Sequence, residues 1–440
     1  MKPILALNAF DMKAAAAGGA LEGLLRQRAQ VFGSASVLFY EQPLQFVRGA
    51  GCWLYDAQGV AYLDAYNNVP SVGHCHPRVV EAATRQLGQL NVHSRYLDAG
   101  IIEFAQALLA TVPAGLANVT FTCTGSEAND LALRLAAQFT GAAGVIVTES
   151  AYHGNTARVT EVSPSSFTNW VQPPQVRTIP APDRRRTSAA GLANAFASEV
   201  TAAIADLERH GHRLSALLID SIFSSDGVFA DPPGFLRDAV DVVHRANGLV
   251  IADEVQSGFA RTGDSFWGFQ RHGIEPDIIT LGKPMGNGFP IAASITRPEI
   301  LDALCAQVGY FNTFAGSPVA GAVGRAVLQV IAEEGLMQNA HRVGEYLRRS
   351  LLELAARHPV IGDVRGAGLY LGVELTEPVD GAPAPARAAA VINGLRARQV
   401  LIGAAGRFGT VLKIRPPLCF SVEHADRLIA TLDEVLSEAP

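Results

Sequence analysis

The sequence predicts an α/β fold with a mostly parallel central sheet flanked by helices, and three stretches carry that prediction. Leu249-Val250-Ile251-Ala252 is an apolar run too short for a helix and bounded by Gly248, as suits a strand buried on both faces. Asp277-Ile278-Ile279-Thr280-Leu281 is a second such run, and it opens into a glycine-rich turn from Gly282 to Gly288. Val119 to Thr122 is a third, followed by a turn at Gly125 and an amphipathic helix through Leu131 to Ala136. Strand, turn and helix in alternation point to helices packed on a parallel sheet.

The residues at the strand ends give the chemistry. Open α/β sheets bind ligands at the carboxyl ends of their strands. Asp253 and Glu254 stand directly after the first run, and Lys283 stands in the turn after the second. Seen singly, such an acid pair is ordinarily a cap or surface ion pair, and such a lysine a solvated charge. Together they say more. A lysine amine shielded from water has a lowered pKa and forms a Schiff base with an aldehyde. An aspartate at a neighbouring strand end can hold a protonated pyridine nitrogen, keeping the ring an electron sink. That is the chemistry of pyridoxal 5'-phosphate.

LVIADEVQSGFARTG (249–263) and DIITLGKPMGNGFP (277–290) resemble the two signature blocks of class III aminotransferases, and the resemblance runs from about Phe46 to Leu436. It implies the fold-type-I architecture of pyridoxal-phosphate enzymes. Residues 76–325 would form the large domain, with 1–75 and 326–440 supplying the two segments of a small α+β domain. By the same resemblance, Lys283 would form the internal aldimine and Asp253 would pair with the ring nitrogen. Gln256 would lie near the ring's phenolic oxygen, and Val255 would pack on one ring face.

Composition sets the bounds. A chain of 440 residues with 49% hydrophobic and 17% charged residues buries a sizeable core. A net charge of -6 gives no footing for nucleic acid. Five scattered cysteines without metal-ligand spacing read as reduced intracellular thiols. No apolar run reaches membrane-spanning length, and Asp11 and Lys13 interrupt the signal-like start MKPILALNAF, so a cytoplasmic location is expected.

Along the chain, residues 1–45 suggest an Ala-rich helix and a connecting loop, and 46–64 a hairpin. His74-Cys75-His76 lacks the spacing of a metal site. The resemblance places Tyr66 and Asn68 near the substrate entrance. The start of the helix after Thr124 offers free N–H groups to an anion, and the GSEAN block assigns phosphate contact to Gly125 and Ser126. The YHG motif puts Tyr152 on the ring face opposite Val255, with His153 beside it. Residues 160–186 hold five prolines and the run Arg184-Arg185-Arg186, expected as a solvated surface excursion. A helix is expected from about Leu192 to His210.

Asp220-Ser221 follows the strand Ala216–Ile219 where many class III enzymes carry Glu-Pro, and Asp220 is the residue expected at the cofactor there. Relatives often place an acid near Ser225 to pair with a substrate-binding arginine, and this chain has none at that point. The block Asn312-Thr313-Phe314-Ala315-Gly316-Ser317-Pro318 resembles the family's dimer-spanning loop. It implies a homodimer in which Thr313 of one chain binds phosphate in the other. Counting back from Pro417 puts Lys413 where related transaminases place a carboxylate-clamping arginine, and Arg415 is expected on the opposite side of that strand. Lysine is a point charge rather than a planar fork, suited to a phosphate or a remote carboxylate.

NNVPSVGHCHP, SPSSF and LKIRPPLCF bring the chain close to the alanine–glyoxylate aminotransferase 2-like and phosphoethanolamine phospho-lyase subgroup. The leading reading is a transaminase moving an amino group from an amine to a keto acid. The alternative is a phospho-lyase that expels phosphate and ammonia from a phospho-amine. A non-catalytic binding module is disfavoured, because every reactive position is occupied.

Overall fold

The computed structural model describes residues 2–11, 21–35, 37–185 and 187–438. Seven strands form the central sheet: β1 (Asn118–Thr122), β2 (Gly144–Thr148), β3 (Val176–Ile179), β4 (Leu214–Asp220), β5 (Leu249–Asp253), β6 (Ile278–Leu281) and β7 (Ala292–Thr296). Their spatial order is β1-β7-β6-β5-β4-β2-β3, and β7 alone runs antiparallel to its neighbours. The expected α/β sheet is present.

Alternation along each strand divides the core. Leu249 and Ile251 of β5 pack with Leu131, Leu135 and Ile300, on the side of helices Gly125–Thr140 and Pro298–Cys305. Val250 and Ala252 join Phe196, Val200 and Val243, on the side of helices Leu192–Arg209 and Arg237–Arg245. Covered on both faces, β2, β5, β6 and β7 are buried at every residue, which is why apolar residues predominate in them.

Two four-stranded sheets complete the fold. In one, Phe46–Ala50, Trp53–Asp56 and Ala61–Asp64 form a meander, and Val400–Leu401 adds to it in parallel. The beginning and end of the chain therefore share a sheet. In the other, Ile361–Ala367, Tyr370–Leu375, Val411–Ile414 and Gly403–Ala405 lie side by side. Helices Leu336–Arg357, Pro385–Ala397 and Val422–Glu438 pack against one another and these strands.

Two strands of the central sheet escaped the sequence reading. β3 lies inside the stretch expected to be loop, directly after Pro173 and Pro174, and its place at the sheet edge tolerates so short a strand. β7 lies just past Pro290. Nor is that stretch wholly solvated, since Arg185 pairs with Asp183 (2.7 Å) and Glu374 (3.1 Å). The N-terminal helix is Glu22–Phe32, while the Ala-rich part of the expected helix, 12–20, lies outside the described residues. Among the described residues no helix is long and apolar enough to cross a membrane.

Ile251 sits at 0% exposure in the middle of the central strand. Ile251→Ala is expected to destabilise the protein by about 2–5 kcal/mol, and urea unfolding monitored by far-UV circular dichroism checks it.

Candidate active site

Strand register builds the site. Asp220, the last residue of β4, pairs with Asp253, the last of β5, and Asp253 pairs with Thr280 of β6. Lys283 opens a short 3-10 turn, Lys283–Gly286, just beyond β6. A cavity with an empty volume of about 480 Å³ lies at these strand ends. Of the ten residues expected to hold a cofactor, nine line it: Gly125, Ser126, Tyr152, His153, Asp220, Asp253, Val255, Gln256 and Lys283. The tenth, Thr313, is exposed and does not line the cavity of its own chain.

Three elements fix Asp253. Its Oδ2 accepts a hydrogen bond from Asn129 Nδ2 (2.9 Å) and lies 2.7 Å from His153 Nδ1. Its Oδ1 accepts from the Val255 N–H (3.1 Å). Asn129 is itself held by Thr280 Oγ1, which donates to its Oδ1 at 2.6 Å. The neighbouring Glu254 turns the other way, into a sealed pocket where it accepts hydrogen bonds from Ser257 Oγ (2.9 Å) and the N–H groups of Gly268 (2.7 Å) and Phe269 (2.9 Å). Burial pushes its carboxyl up to about 7. Of the two acids after β5, only Asp253 serves the cavity.

Asp220 stands half-buried beside Asp253, and both facts raise its pKa: loss of water first, then the neighbouring carboxylate. The N–H groups of Ile222 and Ser224, each 3.0 Å away, partly offset this. Lys283 is half-buried in the cavity wall, and the surrounding protein lowers its pKa to about 8. Burial is the larger cause and the charge of Arg415 the second, while Asp253 and Asp220 oppose them.

The helix Gly125–Thr140 presents its N-terminus to the cavity. Thr124 caps it reciprocally with Glu127: Thr124 Oγ1 accepts from the Glu127 N–H, and Glu127 Oε2 accepts from the Thr124 N–H, both at 3.1 Å. Gly125 is required by close approach, since a Cβ there would lie 2.9 Å from Val255 Cγ2. Gly154 adopts φ +141°, and a Cβ there would meet Ser126 Oγ at 2.4 Å. This end therefore has room for an anion against free N–H groups.

A second cavity adjoins the first, sharing Tyr152, Gln256 and Lys283 and adding Tyr66, Ser225, Lys413 and Arg415. The expectation for Arg415 was wrong. Lys413 and Arg415 face the same cavity, because side chains two apart on a strand share a face. Arg415 lies over the Tyr66 ring, 4.5 Å from its centroid, and donates to Gln256 Oε1. Tyr370 donates to the same oxygen (3.0 Å), and Gln256 Nε2 donates to Ser224 Oγ (2.7 Å). The side chain of Lys413, a residue 4% exposed, makes no hydrogen bond or ion pair among the described residues, and burial and the Arg415 charge hold its pKa well below the usual lysine range. Asn68 lines neither cavity and is buried with both amide atoms unpartnered among the described residues.

Sequence reasoning also passed over Asn129, though it stands inside the quoted GSEAN block. A buried asparagine on a helix facing a strand end was the available signal.

Residues 39–436 match the Aminotransferase class-III family. The chain belongs to that family and is an enzyme of it. It is 38% identical to an alanine–glyoxylate aminotransferase 2-like protein of Drosophila melanogaster, over 94% of this chain and 86% of that protein. It is equally, 38%, identical to the ethanolamine-phosphate phospho-lyase homolog 1 of Caenorhabditis elegans, over 94% of this chain and 93% of that one. Among solved structures it superposes on a phospholyase from Arthrobacter in complex with phosphoethanolamine with a TM-score of 0.92 and 44% identity, covering 95% and 100% of the two chains. A Bacillus anthracis aminotransferase gives 0.85 at 25% identity, covering 96% and 100%.

Lys283 holds its proton to about 10.5 in the unfolded chain and only to about 8 in the fold. Its burial therefore opposes folding below pH 8, and that opposition fades as pH rises toward 10.5. Relative to Lys283→Met, the cofactor-free wild type should gain thermal stability across that interval. A difference that stays flat would remove the lysine from this environment.

Proposed function

We propose that this enzyme carries pyridoxal 5'-phosphate on Lys283 and acts on a small primary amine with an anionic tail. The observation that supports it most is Lys283 set across one cavity from a carboxylate, Asp253, held by three donors. The residues present fit the group. The Gly125–Ser126 helix start suits its phosphate, Asp253 its ring nitrogen, and Tyr152 and Val255 its two faces. When bound, the cofactor supplies an electron sink for the bonds of the amine-bearing carbon.

The chain's own residues do the rest. Lys283 Nζ, with a pKa near 8, is suited to take a proton from the substrate carbon and return one as general base and acid. Asp253 holds positive charge at the ring nitrogen, while Asn129 and His153 keep that carboxylate in place. Arg415 and Lys413 grip the substrate's anionic end. Thr313, exposed on its own chain, completes the phosphate site of a partner in a homodimer. Residues 1–75 and 326–440 act as the small domain around residues 76–325, supported by the sheet that joins Val400–Leu401 to Ala61–Asp64. The five free thiols accord with the cytoplasm.

Amino transfer to a keto acid is the leading reading, as the chemistry of the family. One observation favours the phospho-lyase as second reading. Two cations, Lys413 and Arg415, meet in a pocket whose position 225 is a serine, an arrangement suited to a phosphate dianion. The phospholyase from Arthrobacter, crystallised with phosphoethanolamine, lends it support.

Incubation with phosphoethanolamine, followed by assay of inorganic phosphate, separates the two. Release that needs no keto acid selects the lyase, whereas product formed only with pyruvate and an amine donor selects the transaminase. Lys283→Ala should abolish turnover and the absorbance band near about 400–430 nm; a variant that keeps either would displace Lys283 from its role. Mixing inactive Thr313→Ala and Lys283→Ala chains should restore activity if sites are shared. No recovery despite proven subunit exchange would confine Thr313 to its own chain.

A further inference from the structure

Away from both cavities, two cysteines face each other. Cys52 Sγ and Cys419 Sγ lie 3.5 Å apart, although 367 positions separate them in the chain. Cys52 is 1% exposed and Cys419 is partly exposed, so a small solute can approach from the Cys419 side. Backbone contacts on both sides hold the sulfurs in register. The Leu418 N–H donates to the Ser71 carbonyl (2.7 Å), and Asn339 Nδ2 donates to the carbonyls of Leu418 (2.7 Å) and Phe420 (2.9 Å). The Cys52 carbonyl accepts from the Asp64 N–H (2.8 Å).

A buried cation attends the pair. Arg261 Nη1 donates to the carbonyls of Leu369 (3.2 Å) and Pro416, while its Nη2 is buried with no partner among the described residues. At Cys419 the hydrogen bond from Cys52, and to a lesser extent the Arg261 charge, favour the thiolate, whereas the hydrogen bond to Cys419 and burial hold the Cys52 thiol well above its ordinary value. Sulfurs at contact distance, a route from solvent and an uncompensated guanidinium together suit thiol oxidation.

We propose that Cys52 and Cys419 form a reversible dithiol–disulfide site that takes hydrogen peroxide as its oxidant and ties residues 416–420 to the turn at Gly51. The Cys419 thiolate attacks one peroxide oxygen and the O–O bond breaks. This leaves a sulfenic acid on Cys419 and a hydroxide that takes up the proton shed by the thiol, giving water. Cys52 sulfur then attacks Cys419 sulfur and the S–O bond breaks. The departing hydroxide leaves with the Cys52 proton as a second water. Two thiols are oxidised, one peroxide is reduced, and one S–S bond forms.

Bond formation shortens the gap from 3.5 Å to about 2 Å. Cys419 lies four residues past Arg415, whose N–H donates to the Ala65 carbonyl (2.9 Å). Ser71 Oγ donates to the Pro284 carbonyl (2.8 Å), and the Val72 N–H donates to Asn287 Oδ1 (3.0 Å). The contraction therefore acts on the segment bearing Arg415 and, through residues 71–73, on the turn bearing Lys283.

The test oxidises the holoenzyme with peroxide, denatures and alkylates it, and maps its peptides by mass spectrometry. A peptide pair joined through Cys52 and Cys419, lighter by two hydrogens and parted by dithiothreitol, is expected. Recovery of both cysteines only as alkylated thiols or separate sulfinic acids would overturn the site. Oxidation should also shift KM for the amine several-fold, reversibly, and the shift should vanish in Cys52→Ser or, if that chain does not fold, Cys419→Ser. A KM unmoved at full cross-linking, or a shift that persists in the variant, would overturn the link to Arg415. The cross-link reads out independently of the assignment of Lys283.

Discussion

The register of β4, β5 and β6 is the constraint on which the rest depends. It sets Asp220 against Asp253 and Asp253 against Thr280, so that Lys283 emerges beside two carboxylates. A slip of one residue in β5 would exchange the two faces. Glu254 would then enter the cavity, and Asp253 would be driven into the pocket of Ser257, Gly268 and Phe269. The opposite demands of these adjacent acids, one exposed to a ligand and one sealed among N–H groups, lock the strand in place. The Asn129 amide extends the lock to a helix, since it touches Asp253, Thr280 and the His153 carbonyl.

Charge around the cavity is arranged with few internal pairings. Lys283, Lys413 and Arg415 meet Asp220 and Asp253 without closing into tight ion pairs, and the charge of Arg415 lowers the affinity of both lysines for protons. Gln256 is central to this. Its neutral amide oxygen satisfies Arg415 and Tyr370 without cancelling the guanidinium charge, and the residue at 225 brings no acid to do so. The guanidinium charge of the pocket is therefore left uncancelled, as the proposed grip on an anionic substrate requires.

The segment that carries Lys413 and Arg415 continues past the strand Val411–Ile414 to Cys419, which stands against Cys52 from the opposite end of the chain. The structure thus places Lys413, Arg415 and one member of the thiol pair within one stretch of residues. Movement of that stretch is felt at Lys283 through the contacts of Ser71 and Val72 with the turn after β6.

The sequence by itself determined the sheet's central strands and the placing of Lys283 and Asp253 at neighbouring strand ends. Strands covered on both faces must be written in predominantly apolar residues, and a reactive lysine and aspartate each stand at the end of one. It also marked the helix start at Gly125, because glycine, cap and capping partner are local neighbours. Only the tertiary structure decided what depends on contacts between distant segments. β3 lay hidden behind two prolines because an edge strand has no need of a long apolar run. Arg415 joined Lys413 in the cavity through strand alternation, Asn129 found Asp253 across a helix–sheet contact, and Cys52 met Cys419 with no local signal in either segment. Periodicity and turn chemistry act over a few residues and are legible in a string, whereas the approach of side chains from remote segments is set by packing alone.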